Sequence, residues 1–258
     1  MKKTFLLPLL IAVFTFSLSA QTVDELISQA DNFALKEFNN QKALEVLLRA
    51  EKIDGKNWEV LWRISRSYVD IAEHLPDKTD KQKEDQLAMY QKSLDYANKA
   101  INIAPNKSVT YLRRAIANGR VALFKGVFSV ISIVNSVRDD LLKSIKLGNG
   151  GNEIIATAHY VLARTHAKVC EKPYLVRLPL GLGWGEMDEA VKNYKKAIEL
   201  RPNFRMFYID YARTLITLEN YKSGRENLNK IPSIPVLDED DNKVLADSKQ
   251  LLEQIKNK

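Results

Sequence analysis

The chain is poor in the residues that build catalytic and metal centres. Its 258 residues include one cysteine and three histidines. A single cysteine excludes an intramolecular disulfide framework and a Cys-rich zinc module. So few histidines leave no supported Ser–His–Asp or Cys–His set. Glycine (10) and proline (8) are also scarce, which argues against a turn-rich sheet protein and against collagen-like or Pro-rich sequence. After the first twenty residues no apolar run is long enough for a membrane helix. What is present is ordinary for a globular chain: 45% hydrophobic and 28% charged residues, with a net +7 from 39 Lys+Arg and 32 Asp+Glu. The basic excess is mild and interleaved with Glu, which gives nucleic-acid binding little support.

The first twenty residues read as an export signal. Lys2 and Lys3 are followed by an almost wholly apolar run from Phe5 to Phe16, then by Ser17-Leu18-Ser19-Ala20. Basic start, apolar middle and small-residue end are the three parts of a secretory signal peptide. Cleavage is expected after Ala20. The next residue is Gln21 rather than Cys, so lipidation at a lipoprotein box is chemically excluded. The remaining chain, 39 Lys+Arg less two against 32 Asp+Glu, carries +5 and is expected in a bacterial periplasm or secreted. The lone Cys170 is then either buried and inert or exposed and reactive.

From residue 21 on, the pattern is helical. Leu26, Ala30, Phe33 and Ala34 share one stripe, and Ala43, Leu47 and Ala50 the next, while Gly55, Pro105, Gly148 to Gly151 and Pro202 fall between such segments. Ala190, Tyr194, Ala197 and Pro202 stand at the spacing of the second helix of a tetratricopeptide repeat. Ser93, Ala97, Ala100 and Pro105 repeat that spacing, as do Ala43, Leu47, Ala50 and Gly55. Small residues there let the paired helix approach closely, and the aromatic fills the next gap. First helices match more loosely, best at Leu61, Ile64, Ser65 and Tyr68. The expected fold is all-α: a tetratricopeptide-like α-solenoid of antiparallel helix pairs over 24–57, 58–106, 107–150, 152–203 and 204–236, ending in a capping helix over 238–256. Residues 74–86 and 171–186 interrupt the period, and the pair spanning 108–147 is long.

In repeat register, three first helices coincide as small residue, Arg, hydroxyl: Ser65-Arg66-Ser67, Ala163-Arg164-Thr165 and Ala212-Arg213-Thr214. Each Arg falls about 100° round the helix from the packing residue, on the side that lines a solenoid's concave surface. Trp62, Tyr160 and Ile209 stand four residues earlier on the same face, Lys168 follows Arg164 by four, and Arg120 takes a comparable place between. The expectation is a basic groove of Arg66, Arg164, Arg213, Arg120 and Lys168 with an apolar or aromatic floor of Trp62 and Tyr160. Its arginines would clamp carboxylate or phosphate. The alternative is that each Arg pairs with a nearby carboxylate and only holds repeats together.

Other features have structural readings. His159 and His166 are two turns apart, too far for one metal ion, and fall at packing positions. Gly181-Leu182-Gly183-Trp184-Gly185 lacks the spacing of a phosphate loop and reads as a turn that lets Trp184 pack inward. Asp139-Asp140 and Asp77 to Asp85 read as solvated charge. Asp238-Glu239-Asp240-Asp241 reads as the cap of the last helix. No cofactor or metal site is expected.

The order and spacing of several segments resemble the regulator of microtubule dynamics family. The segments are Leu61 to Tyr68, Ala97 to Pro105, His159 to Arg164, the Leu-Pro-Leu-Gly-Leu-Gly stretch before Met187, Ala190 to Asn203, and Asp238 to Asp241. The resemblance covers roughly residues 40–256 and implies a helical-repeat binding protein without catalytic activity. Eukaryotic members associate with microtubules and organelle membranes. What carries over to an exported chain is the fold and the binding scaffold, not the tubulin partner.

The expected function is therefore a non-catalytic scaffold binding an acidic or C-terminal peptide segment of a protein partner. The competing expectation is carriage of an anionic amphiphile such as a phospholipid, walled by the apolar stretch Val121 to Val137. Mass spectrometry of the protein from its native host should find Gln21 at the N-terminus. An N-terminus at Met1 would refute cleavage and leave the alternative, an uncleaved N-terminal anchor.

Overall fold

A computed structural model describes residues 21–258, so the signal-peptide expectation for 1–20 lies outside the described residues. The described chain is an all-α tetratricopeptide-like solenoid of twelve α-helices without strands. Helix α1 (Val23–Leu35) packs on α2 (Asn40–Ile53), α3 (Trp58–Glu73) on α4 (Asp80–Ile103), and α5 (Ser108–Ala122) on α6 (Val127–Leu147). Helix α7 (Gly151–Cys170) pairs with α9 (Met187–Leu200), and α10 (Arg205–Thr217) with α11 (Tyr221–Lys230). The single turn α8 (Tyr174–Arg177) lies in the connection between α7 and α9. The last helix, α12 (Asp241–Gln254), covers the end of the stack against α10 and α11.

Local chemistry sets the helix ends. Thr22 and Thr79 each accept a backbone N–H three residues on, while Glu25 and Gln82 return the bond to the cap residue's own N–H. Asn39, Asn57 and Asn220 cap α2, α3 and α11 through their side-chain oxygens. Gly148 closes α6 in the left-handed conformation at φ 65°, which glycine adopts without a Cβ penalty. The 74–86 interruption becomes a short loop followed by a lengthened α4.

The repeat alanines sit where the helices cross. Ala43, Ala50, Ala97, Ala100, Ala190 and Ala197 are fully buried. Tyr194, from the same register, lies among Tyr160, Phe207 and Tyr211 in the core joining the last two pairs. Burying an aromatic of this size contributes on the order of 2–3 kcal/mol. Not every acidic residue is solvated. Asp140 is buried and takes both oxygens to Arg114, at 2.7 and 2.6 Å, which corrects the solvated reading for that residue.

The acidic run before α12 also differs from expectation. Asp240 stands at the cap position without a side-chain capping bond. Instead buried Asp241 accepts the N–H groups of Leu237 and Asp238 at 2.7 and 3.0 Å, and Asp238 accepts that of Asp240. The run knots its own turn and leaves Glu239 to reach elsewhere. Arg205, itself buried, ties this turn to α10: its guanidinium donates to the carbonyls of Ile234 and Asp241.

Replacing Arg205 with Leu strands those two carbonyls. We expect it to lower unfolding stability in urea by about 2–3 kcal/mol, from the strength of hydrogen bonds to charged groups. Amide exchange in α12 should accelerate first.

Candidate functional site: the concave cavity

The solenoid curls far enough for its ends to meet. Asn40, at the start of α2, donates to Glu239 at 2.8 Å across 199 residues of chain. His74, just past α3, lies 3.6 Å from both Glu239 and Asp240. The concave face thus becomes the wall of a cavity of about 990 Å³, to which all five helix pairs contribute. Ile116, Leu123, Val130, Val134 and Val137, from α5, α6 and their connection, form its apolar side.

The arginines of the three triplets all reach this cavity, as do Arg120, Lys168 and Tyr160. Trp62 and Ile209 do not line it. Trp62 is buried and donates its indole N–H to Glu59, and Ile209 is fully buried in the core beneath the last pair. The charge also differs from the expected basic groove. Seven lysines and arginines line the cavity beside eight aspartates and glutamates.

Each cation expected there already has a carboxylate. Arg66 holds Asp31 at 3.0 Å, and Arg120 holds Glu73. Asp210 is the hub for the other two triplets. It lies 3.4 Å from Arg164 and 2.9 Å from Arg213, and it accepts the Tyr160 hydroxyl at 2.7 Å. Arg213 also holds Asp247 at 3.0 Å, and Lys168 holds Glu171 at 2.7 Å. Asp31, Glu73, Asp210 and Asp247 come from α1, α3, α10 and α12, so most of the pairs join neighbouring elements. The register located the arginines but not their counter-ions. Asp210 was legible, three residues before Arg213.

Sequence reasoning missed Arg113, Arg201, Asp70 and Glu239. Arg113 precedes Arg120 by seven residues, two helical turns on one face, and that spacing could have found it. Loss of hydration pushes the carboxyl of half-buried Asp70 up to about 6 despite the nearby Arg66 and Arg113.

The remaining histidines and the glycine turn are structural. His166 is buried, receives the Glu186 N–H and meets the Trp184 ring edge-on. His159 lies 2.7 Å from the Asn193 side-chain oxygen. Burial lowers the pKa of both histidines. Trp184 packs inward, donating to Asn135 at 2.7 Å, and a Cβ on Gly185 would stand 2.4 Å from Val169. Cys170 is half-buried at the cavity wall, and burial raises its thiol pKa. Among the described residues no group of three or more His, Cys, Asp or Glu could hold a metal ion.

Stacked helical hairpins wrapped round a concave cavity define a tetratricopeptide-like solenoid. The sequence pattern of the family described as "Regulator of microtubule dynamics protein 1-3" matches residues 26–256, and the chain belongs to that family. It is 25% identical to mouse regulator of microtubule dynamics protein 1, over 89% of this chain and 74% of that protein. It is also 25% identical to bovine protein 2, over 91% of this chain and 56% of that protein. Among solved structures, a thermophilic TPR protein of Thermus thermophilus shares the fold at 13% identity. Its TM-score is 0.66 over 89% of this chain and 100% of that one.

The contact between the chain ends titrates. Burial pushes Glu239 up to about 7, reinforced by Asp70, Asp238 and Asp240 and opposed by His74. Burial pulls His74 down, but the Asp70 carbonyl and the charges of Glu239, Asp240 and Glu73 raise it overall. Both shifts bind protons more tightly in the closed form. The Glu239 contribution fades as pH rises from its ordinary 4.5 through about 7, and that of His74 is complete below 6.5 and fades above it. The closure is therefore tighter at about pH 6 than at about pH 8. Exchange of the Leu237 and Asp238 amides, corrected for intrinsic rate, should be faster at the higher pH. Glu239→Gln should flatten that dependence.

Proposed function

We propose that the chain is a non-catalytic, extracytoplasmic scaffold that takes an extended segment of a partner protein into its concave cavity. The segment carries acidic side chains or ends in a free carboxylate. One observation carries this reading. Leu35, Leu123, Leu218 and Leu237 line the cavity at 48, 66, 42 and 36% exposure, spread round the ring from α1 to the turn before α12. Leucines left open on an inner wall add nothing to folding and offer apolar area to a guest. The cavity's arginines stand among resident carboxylates, so selectivity for an acidic segment rests on the donors those carboxylates leave free. No tubulin partner is proposed: the relatives' names describe those proteins, and the export signal read in residues 1–20 argues for a different compartment.

A second reading, carriage of an anionic amphiphile, is favoured by the wall of Ile116, Leu123, Val130, Val134 and Val137, which could bed an alkyl chain.

One comparison tests both readings. The protein and its Leu123→Glu, Leu218→Glu variant are purified from the native envelope, and bound proteins and lipids are identified by mass spectrometry. Both positions are exposed, so the variant's stability should lie within about 1 kcal/mol of wild type. A protein retained by wild type and lost from the variant is the expected result. A lipid lost in the same way would favour the second reading, and identical eluates would refute the cavity as the binding site.

A further inference from the structure

We propose that Arg113 and Arg66, gathered at the Trp62 ring, form an oxyanion subsite in the cavity wall that seats the terminal carboxylate of an apolar chain. The inference rests on the cavity being the binding site and adds where the charged end of the guest lies.

Arg113 is set apart from the other cavity cations. Each of the other lysines and arginines has a carboxylate within ion-pair distance, including Arg201, which holds Glu153 at 3.1 Å. Among the described residues Arg113 makes no hydrogen bond and no ion pair, and its Nε is shielded from solvent with no acceptor. Arg66 is 7% exposed, commits one terminal nitrogen to Asp31 and leaves its own Nε without an acceptor. A buried donor without an acceptor costs on the order of 1–3 kcal/mol, and more when charged, so two on neighbouring guanidinium groups need a reason.

The surroundings supply one. The Arg113 and Arg66 guanidinium carbons lie 5.4 and 5.5 Å from the Trp62 ring centre, and Arg63 approaches at 4.2 Å. The indole holds these cations without neutralising them. Asp70 faces both arginines, yet forms an ion pair with neither. Burial, with Arg66 adding to it, lowers Arg113 to about 10, as expected of a cation lacking a counter-ion. A carboxylate entering here would meet two guanidinium groups, of which Arg113 has no resident carboxylate and Arg66 has committed one terminal nitrogen to Asp31.

The neighbouring wall says what the oxyanion is attached to. One turn on from Arg113 comes Ile116, then Leu123, then Val130 and Val134 on α6. The cation on this stretch, Arg120, is taken up by Glu73, and the rest of the surface suits apolar side chains or an alkyl chain. The shared chemistry is a carboxylate at the end of an apolar chain, from a peptide C-terminus or a fatty acid.

Calorimetric titration of the full protein tests this with four probes: acetyl-Leu-Val-Leu with a free carboxylate, its C-terminal amide, decanoate and decanamide. The acid should bind about tenfold or more tightly than the matching amide, as expected for charge-assisted pairing. Arg113→Gln should abolish that preference. Arg120→Gln should keep it, because that guanidinium already serves Glu73. Arg113→Lys retains the charge without the fork and should keep part of the preference, which guards against loss by misfolding. Acid preference in the peptide pair alone identifies a polypeptide C-terminus, and in the decanoate pair alone a fatty acid. Equal binding of acid and amide, or equal loss in the Arg113 and Arg120 variants, would overturn the subsite and leave the cavity reading standing. If none of the probes binds, the subsite falls, and the eluate comparison alone decides the cavity reading.

Discussion

A helical hairpin has two broad faces and can bury only one against itself. Everything else in this molecule follows from that shortage. Each pair must lay its open face on the next, and the last must be closed by something that is not a pair. Here that element is α12, fastened through Arg205 to carbonyls at its start and in the turn that precedes it. Alanine at the crossings sets how closely successive pairs approach. Their summed rotation then brings Asn40 to Glu239. Ring closure is thus a consequence of packing geometry, held by a few polar contacts rather than by a core.

Closure changes the electrostatics of the inner face. On an open solenoid, arginines along the concave side would face water and could be counted as a basic stripe. Inside a ring they face the opposite wall and the neighbouring repeats, and the cost of burying charge calls in carboxylates. Asp31, Glu73 and Asp210 take that role, with Asp210 shared between two arginines and Tyr160. The same crowding raises Asp70 and Glu239, because acids there gain too little from nearby cations to offset their lost hydration. The cavity is therefore amphipathic rather than basic, and its most distinctive cation is Arg113, which the ring leaves without a counter-ion.

The helical period, the alanine spacing and the breakers between segments made the solenoid readable, since each reflects packing between residues close in sequence. Ala43, Ala97, Ala190 and Tyr194 are buried for the reason their spacing suggests. The arginine triplets could be placed on the inner face by the same arithmetic. The arithmetic failed for Trp62 and Ile209, which share that helix face but are sealed by neighbouring elements, and for Asp140, whose partner Arg114 lies 26 residues away.

The sequence by itself determined the fold class, the family and which helix faces turn inward, because these depend on patterns repeated within one or two turns. Tertiary structure alone decided which arginines are neutralised, that Glu239 meets Asn40 and His74, and that Arg113 is left unpaired beside Trp62. Those outcomes depend on distances between residues far apart in the chain. A small rotation at each pair, accumulated over five pairs, fixes such distances, and no local pattern encodes the sum.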